Sequence, residues 1–250
     1  MTPRWPYPRV LAHRGAGSLA PENTLAAIRA GLDFGFRAVE FDVMLSEDEI
    51  PVLMHDPEFG RTLPGRGEVS KTPVSELVKM DAGSWFDARF AREPVPLLSS
   101  VMEFCRSEGI FMNIEIKPAR GTDRRTGEVV GLALAHFLAD PACDAPSVLF
   151  SSFSTTALEG ARATAPAVPR GHLFSRIPYD WQNRLKALDC RALHCDHRNL
   201  DQTLAKRVSA AGFGLFCYTV NELSRGRELF DWGVDALCTD RIDLFRPDFA

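Results

Sequence analysis

Short apolar runs alternate with longer segments of helical period along most of the chain. The apolar runs predict eight strands, at residues 10–13, 37–43, 110–116, 147–151, 170–173, 192–195, 214–219 and 236–239. The segments between them predict helices at residues 23–34, 99–107, 126–138, 155–164, 181–188, 202–211 and 221–232. In the first helix Leu25, Ile28 and Leu32 fall on one face, and its predicted N-terminal cap is Asn23 or Thr24.

This alternation predicts an α/β protein, because a strand, a helix and a second strand in succession normally place the two strands in parallel. Eight such units in 250 residues match a closed (β/α)8 barrel, the TIM barrel. An open, doubly wound sheet is the alternative fold. The first strand is not followed by a Gly-x-Gly-x-x-Gly sequence, which disfavours a dinucleotide-binding version of that open sheet.

One segment does not follow the alternation. After a short apolar run at residues 51–55, residues 56–98 are rich in proline, glycine and charge, and they include Trp85, Phe86 and Phe90. A connection of this length is seldom a bare loop. We therefore predict one barrel domain over residues 1–250, with a small inserted subdomain at residues 56–98, after the second strand region, that is folded over one end of the barrel.

Composition and charge exclude several classes of protein. Hydrophobic residues make up 45% of the chain and charged residues 25%, which is ordinary for a globular protein. The formal net charge is −4, and the sequence has no basic stripe of the kind that binds nucleic acid. No long apolar run predicts a membrane-spanning helix, and the first residues do not resemble a signal peptide. We expect a cytoplasmic protein with no stable insertion into a membrane.

The cysteines favour a reducing compartment. The chain has six of them, at positions 105, 143, 190, 195, 217 and 238. Because a chain of this size needs no disulfide bonds, we expect buried free thiols. Cys190, His194, Cys195 and His197 lie close together, but their spacing fits no usual zinc site. If residues 193–195 form a strand, His194 and Cys195 point to opposite faces, so zinc is only a minor alternative.

Acidic side chains share the faces of two predicted strands. Glu40 and Asp42 are two residues apart on one strand. Glu115 lies between Asn113 and Lys117 on the same face of the next. Inside a barrel such carboxylates need a cation or shared protons, because burial removes their solvation and they repel one another. Three oxygen ligands favour Mg²⁺ or Ca²⁺, although a solvated pair at a strand end remains the alternative for Glu40 and Asp42.

Two histidines and two basic residues reach the same predicted edge of the sheet. His13 and Arg14 end the first strand, and His55 follows the short run at residues 51–55. One histidine at a strand end is usually structural, but two beside three carboxylates can serve as general acid and general base. A divalent cation with Arg14 and Lys117 would exceed the three carboxylates by one positive charge, which suits a phosphodiester anion.

Aromatic residues end two further strands. Phe153 and Tyr218 are predicted to line the pocket for an organic group, and packing inside the barrel is the equally good alternative. His172 also ends a strand, where no partner for it is evident, and His136 lies on a predicted helix.

Four stretches of the sequence carry most of these residues, and their order along the chain is informative. They read LAHRGAGSLAPENTLAA, VEFDVMLSEDEIPVLMHDP, NIEIKP and YTVNE. Together they resemble the motifs of the glycerophosphodiester phosphodiesterases, and the resemblance covers essentially the whole chain, including the segment after His55. The likeness is to the cytoplasmic bacterial members. It implies a (β/α)8 barrel that hydrolyses glycerophosphodiesters to sn-glycerol 3-phosphate and an alcohol.

The resemblance also implies roles for individual residues. The family's histidine pair matches His13 and His55, its metal-binding carboxylates match Glu40, Asp42 and Glu115, and its phosphate-contacting residues match Arg14 and Lys117. Tyr218 stands where relatives commonly have tryptophan, so the preference for the glycerol or alcohol part is open.

Two alternatives to this function remain. One is a related barrel phosphodiesterase that acts on lysophospholipid or other phospholipid head groups. The other is an inactive barrel that only binds phosphate esters. The sequence leaves open the head group, the choice between Mg²⁺ and Ca²⁺, the identity of the base and the nucleophile, and the oligomeric state.

Overall fold

Eight parallel strands close into a barrel in the structure, a computed structural model that describes residues 4–140 and 148–249. The strands within those ranges are β1 (Val10–His13), β2 (Ala38–Leu45), β3 (Pro51–Leu53), β4 (Phe111–Ile116), β5 (Val148–Ser152), β6 (Arg170–Phe174), β7 (Ala192–Asp196), β8 (Gly214–Tyr218) and β9 (Ala236–Thr239). Strand β1 pairs in parallel with both β2 and β9, which closes the barrel. Strand β3 lies outside it, antiparallel to the end of β2. The predicted TIM barrel is confirmed, and the open-sheet alternative is wrong.

Helices lie between successive barrel strands. Their bounds are α1 (Leu25–Asp33), α2 (Val74–Leu77), α3 (Leu98–Glu108), α4 (Asp123–Leu138), α5 (Thr155–Thr164), α6 (Trp181–Ala187), α7 (Gln202–Ala210) and α8 (Leu223–Asp231). The side chain of Thr24 accepts a hydrogen bond from the backbone N–H of Ala27, so Thr24 is the N-terminal cap of α1. Asn23 has a positive φ of 56° and a different role, described below. Of the predicted strand at residues 147–151, Ser147 lies outside the described residues.

The core has an inner and an outer layer. Outward-facing strand residues such as Phe41, Ile114 and Phe150 are fully buried against the helices. Inside the barrel, Phe216 packs against Trp5, whose ring lies 5.7 Å away, and Tyr7 packs against the ring of Phe111. The segment before β1 therefore closes the amino-terminal end of the barrel, and the carboxyl ends of the strands remain available for a site.

The segment predicted as an insertion packs on the end of β2 and on β3. Leu63, Val69 and Leu77 are buried in one apolar cluster with Met44 and Val52. The longest helix that lies wholly within residues 56–98 is α2. Leu98, the predicted last residue of this segment, is instead the first residue of α3. Apolar burial therefore fixes this segment on one side of the barrel mouth. Its identity as a separate subdomain stays a prediction.

Helices α4 and α5 approach each other unusually closely because of glycine. A Cβ atom at Gly127 would overlap the carbonyl oxygen of Ala157, and one at Gly160 would overlap that of Arg124. Each helix therefore places bare backbone against the backbone of the other.

The described cysteines are free and buried, whereas Cys143 lies outside the described residues. His194 packs inside the barrel, its ring 4.6 Å from that of Phe216. The Sγ atom of Cys195 instead lies 3.9 Å from that of Cys217, among the outer-layer residues. The two side chains lie on opposite faces, so this cluster does not converge on one metal position.

Candidate active site

A cavity of about 180 Å³ opens at the carboxyl ends of the barrel strands. Its lining contains every site residue that the sequence predicted. The lining residues are His13, Arg14, Glu40, Asp42, His55, Asn113, Glu115, Lys117, Ser151, Phe153, Leu173, Phe216, Tyr218, Thr219 and Cys238. The structure therefore brings together side chains from seven of the eight barrel strands and from the chain that follows β3.

The end of β1 turns sharply into the cavity. His13 is the last residue of the strand, and Arg14 and Gly15 follow with positive φ angles of 50° and 102°. A Cβ atom on Gly15 would lie 2.7 Å from the Cβ of Ala27, so glycine permits both the turn and the close approach of α1. The backbone N–H of Arg14 donates to Glu40 Oε2 at 3.2 Å.

Three carboxylates form the acidic wall of the cavity. Glu40, Asp42 and Glu115 each offer an oxygen within 4.8 Å of the others, and they are the candidate metal-binding group among the described residues. Burial, followed by the charges of its two carboxylate neighbours, raises the pKa of Glu40. Burial, followed by Asp42, raises the pKa of Glu115 to about 7. Buried carboxylates that resist ionisation together fit a site built for a hard divalent cation.

Asp42 remains ionised because cations surround it. Burial alone would raise the pKa of Asp42, but the charges of Lys117 and Arg14 lower it below the ordinary value. Lys117 Nζ lies 3.5 Å from Asp42 Oδ1 and 3.3 Å from Glu115 Oε1. Arg14 Nε lies 3.4 Å from Asp42 Oδ2. Both basic residues therefore stand beside the acidic wall.

Each histidine has an aspartate on Nδ1. His13 Nδ1 lies 2.6 Å from Asp240 Oδ1, and His55 Nδ1 lies 2.6 Å from Asp56 Oδ1. An Nδ1–H that is donated to a carboxylate leaves Nε2 as the atom that can accept or donate a proton in the cavity. The Nε2 of His13 lies 3.8 Å from Glu40 Oε2. Burial lowers the pKa of His55, with the attraction of Asp42 acting in the opposite direction.

Several functional neighbours of these residues escaped the sequence prediction. Asp240 follows the end of β9, so the rule that located the other strand-end residues could have found it. Asn23 was predicted only as a possible helix cap. Its Nδ2 donates to Asp42 Oδ2 at 2.9 Å, and its Oδ1 accepts from the backbone N–H of Asp42 at 3.0 Å. Both the nitrogen and the oxygen of the Asn23 amide therefore form hydrogen bonds with Asp42.

A chain of ion pairs joins the two sides of the cavity through Arg61. Arg14 Nη1 donates to Glu22 Oε1 at 2.7 Å, and Arg61 donates to both oxygens of Glu22, at 2.7 and 2.6 Å. Arg61 Nε also donates to Asp56 Oδ2 at 2.5 Å. This hydrogen bond is the main reason that the pKa of Asp56 is lowered to about 2. No sequence pattern connects Arg61 with Glu22, because 39 residues separate them.

Two neutral oxygens at the base of the cavity have no hydrogen-bond partner among the residues that the structure describes. These are Asn113 Oδ1 and Ser151 Oγ, and each residue is only 1% exposed. A buried polar atom without a partner is costly, so such atoms usually face a ligand or water. The sequence placed Asn113 on the face of Glu115 but did not single out Ser151.

The aromatic side chains lie at the mouth. The rings of Phe153 and Tyr218 are 5.9 Å apart, edge to face, and Phe153 is 46% exposed. The hydroxyl of Tyr218 donates to the carbonyl of Phe174 at 3.1 Å. His172 does not line the cavity. It is buried with Nε2 2.9 Å from the Thr155 hydroxyl, so the prediction that nothing pairs with it is wrong.

Comparison with known proteins gives one consistent set of relatives. A sequence model of the Glycerophosphoryl diester phosphodiesterase family matches residues 13–244. A glycerophosphodiester phosphodiesterase of Caldanaerobacter subterraneus is 30% identical over 232 residues, which cover 92% of this chain and 93% of that protein. A putative glycerophosphodiester phosphodiesterase of Bacillus subtilis is 28% identical over 245 residues, covering 96% and 97%.

Two solved structures extend this likeness. The structure of an Oleispira antarctica phosphodiesterase in complex with the product sn-glycerol-3-phosphate superposes with a TM-score of 0.87. It is 39% identical and covers 93% of each chain. A glycerophosphodiester phosphodiesterase of Agrobacterium tumefaciens superposes with a TM-score of 0.76 at 26% identity, covering 96% of this chain and 99% of that one.

Proposed function

The chain belongs to the glycerophosphoryl diester phosphodiesterase family and is a phosphodiesterase, and we propose that it hydrolyses glycerophosphodiesters to sn-glycerol 3-phosphate and an alcohol. One observation carries the proposal: the buried Glu40 and Asp42, the partly buried Glu115, two cationic side chains and two histidines that each contact an aspartate line a single cavity. The product bound to the Oleispira antarctica relative supports the choice of substrate.

A divalent cation, Mg²⁺ or Ca²⁺, is part of the proposal. Glu40, Asp42 and Glu115 would hold it, since their oxygens converge and their burial disfavours three uncompensated charges. When bound, the cation supplies Lewis-acid polarisation of a phosphoryl oxygen. Arg14 and Lys117 would hold the remaining negative charge of the phosphodiester through their guanidinium and ammonium groups.

The histidines would move the protons. One imidazole Nε2 would take a proton from the attacking hydroxyl, which belongs either to water or to the neighbouring glycerol hydroxyl group, and the other Nε2 would protonate the alkoxide that leaves as its P–O bond breaks. Attack by water gives sn-glycerol 3-phosphate directly, whereas attack by the glycerol hydroxyl gives a cyclic phosphate that water then opens. Asp240 and Asp56 fix the ring orientations through Nδ1. Phe153 and Tyr218 would contact the organic groups on either side of the phosphate.

No helix among the described residues is long and apolar enough to cross a membrane. A cytoplasmic location and the absence of a nucleic-acid partner stay predictions from the sequence.

Product analysis tests the function. Purified protein should release sn-glycerol 3-phosphate from glycerophosphocholine, lose this activity in excess chelator and regain it with Mg²⁺ or Ca²⁺. His13→Ala and His55→Ala should each lower kcat by about 10² to 10⁴ fold, whereas His136→Ala, an exposed change on α4, should not.

Three results would contradict the proposal. Preferential cleavage of lysophosphatidylcholine would favour the phospholipid alternative, and calorimetric binding without turnover would favour the inactive barrel. Full activity in chelator would remove the metal from the mechanism.

A further inference from the structure

A second cavity of about 420 Å³ opens beside the first and continues from it. The two cavities share Glu115, Lys117 and Phe153. We call the remaining part the side groove, and its own lining includes Pro118, Asp123, Ser152 and Ser154. It lies between the ends of β4 and β5, where α4 and α5 begin. A substrate whose phosphate lies beside Lys117 can therefore extend one of its two ester groups into this groove.

Asp123 gives the side groove its charge. Its carboxylate lines the groove and accepts a hydrogen bond from the Ser154 hydroxyl at 2.7 Å. Within residues 4–140 and 148–249 it forms no ion pair with lysine or arginine, while its neighbours Arg124 and Arg125 pair with glutamates elsewhere. The Lys117 ammonium lies beside Asp42 and Glu115 of the main cavity, where the proposed function assigns it to the phosphate. The groove therefore offers a carboxylate that forms no ion pair with a lysine or arginine of the described residues.

An exposed aromatic ring faces the same space. Phe153 lines both cavities and is 46% exposed although it is a large apolar side chain. The face of an aromatic ring attracts ammonium groups, and most strongly those that are weakly solvated. A carboxylate and an open ring in one groove are the two groups that recognise an alkylammonium ion.

The hydroxyl groups of the side groove make a neutral polyol a poorer fit. Ser152 Oγ donates to the carbonyl of Ile116 at 2.7 Å, and Ser154 Oγ donates to Asp123. Both hydroxyl protons are thus already used inside the protein. A glycerol or inositol group would find few free donors there, and binding sites for polyols depend on such hydrogen bonds.

We propose that the side groove binds the leaving alcohol and selects alcohols that carry a cationic nitrogen, such as choline or ethanolamine. The inference rests on the proposed hydrolase function. Asp123 and Phe153 are the specificity-determining residues, and the glycerol phosphate part occupies the barrel cavity.

Competing substrates test this selectivity. We would measure kcat/KM for glycerophosphocholine and for glycerophosphoglycerol, whose head group is an uncharged polyol. In the wild-type protein the ratio should favour glycerophosphocholine. Asp123→Asn and Phe153→Leu should each lower the ratio about 5-fold, mainly through KM. A change of this size corresponds to the binding free energy of one partly exposed contact with a cation.

A matched control separates this effect from general electrostatics. Glu159→Gln removes the same charge from neighbouring α5, but Glu159 pairs with Arg124 and does not line the groove, so its ratio should equal that of the wild type. A ratio unchanged in both groove variants, or a wild-type preference for the polyol, overturns the inference while the hydrolase function stands. Failure to cleave either substrate overturns the function itself. Because Phe153 is exposed, Phe153→Leu keeps the test valid if Asp123→Asn does not fold.

Discussion

The side chains of the site are held by residues from distant parts of the chain. Asn23 illustrates this, because its amide contacts both the carboxylate and the backbone N–H of Asp42. The hydrogen bond to Oδ2 fixes the carboxylate, so Oδ1 is the oxygen that faces Lys117. Residues that hydrogen-bond the ligands of a metal in this way affect how tightly those ligands bind it.

Replacing Asn23 tests this positioning role. Asn23→Gly preserves the positive φ of 56° but removes both hydrogen bonds to Asp42, so Mg²⁺ or Ca²⁺ should bind about 10-fold more weakly in calorimetry. Arg92→Gly is a matched control, because Arg92 also has a positive φ, is exposed and does not line the cavity. Unchanged affinity in Asn23→Gly would show that Asp42 needs no such support.

The sequence predicts the residues that line the cavity better than the residues that hold them in place. Glu40 and Asp42 were found because two-residue spacing places them on one face of a strand. Glu22 and Arg61 were not found, because their contact depends on where the segment after β3 folds back, and spacing along the chain contains no such information.

At the scale of elements, strands were predicted more completely than the contacts between helices. Helix α5 has the predicted bounds, and so do strands β1 and β9. The strand bounds could be predicted because apolar runs inside a parallel barrel are sharply delimited by polar ends. The close approach of α4 and α5 was not predicted. It depends on which glycine faces which carbonyl, and helical period alone cannot pair two helices.

The contact between α4 and α5 can be tested with one methyl group. Gly127→Ala should lower the free energy of unfolding by about 1–3 kcal/mol, because the added Cβ overlaps the Ala157 carbonyl. This outcome would oppose helix propensity, which favours alanine by about 1 kcal/mol. Denaturant unfolding measures the change, with the exposed His136→Ala on the same helix expected within about 0.5 kcal/mol of wild type. A stabilised Gly127→Ala would mean that the helices can separate without cost.

At the scale of the whole molecule, the barrel places carboxylates that repel one another at one of its two ends. Its amino-terminal end is closed by aromatic packing around Trp5, whereas two buried carboxylates and the partly buried Glu115 meet at the other end. This topology could be predicted from the alternation of strands and helices. The side of the mouth on which residues 56–98 pack could not, because it is set by the apolar cluster that contains Leu77 and Met44.

A divalent cation should therefore stabilise the entire fold. At a concentration 100 times its Kd, binding adds about 2.7 kcal/mol to the free energy of unfolding, which corresponds to a rise in Tm of roughly 5–10 °C for a chain of this size. Thermal unfolding with and without Mg²⁺ or Ca²⁺ measures this. The double variant Glu40→Gln and Glu115→Gln should lose the rise, and an equal rise in that variant would assign the stabilisation to another site.

The link from Arg14 through Glu22, Arg61 and Asp56 to His55 has a consequence for recombining this protein with its relatives. A chimera that exchanges residues 56–98 alone would replace Asp56 and Arg61 while their partners His55 and Glu22 stay native. Crossover points before Arg14 and after Arg61 would instead keep the whole link in one exchanged segment, which contains α1, β2 and β3.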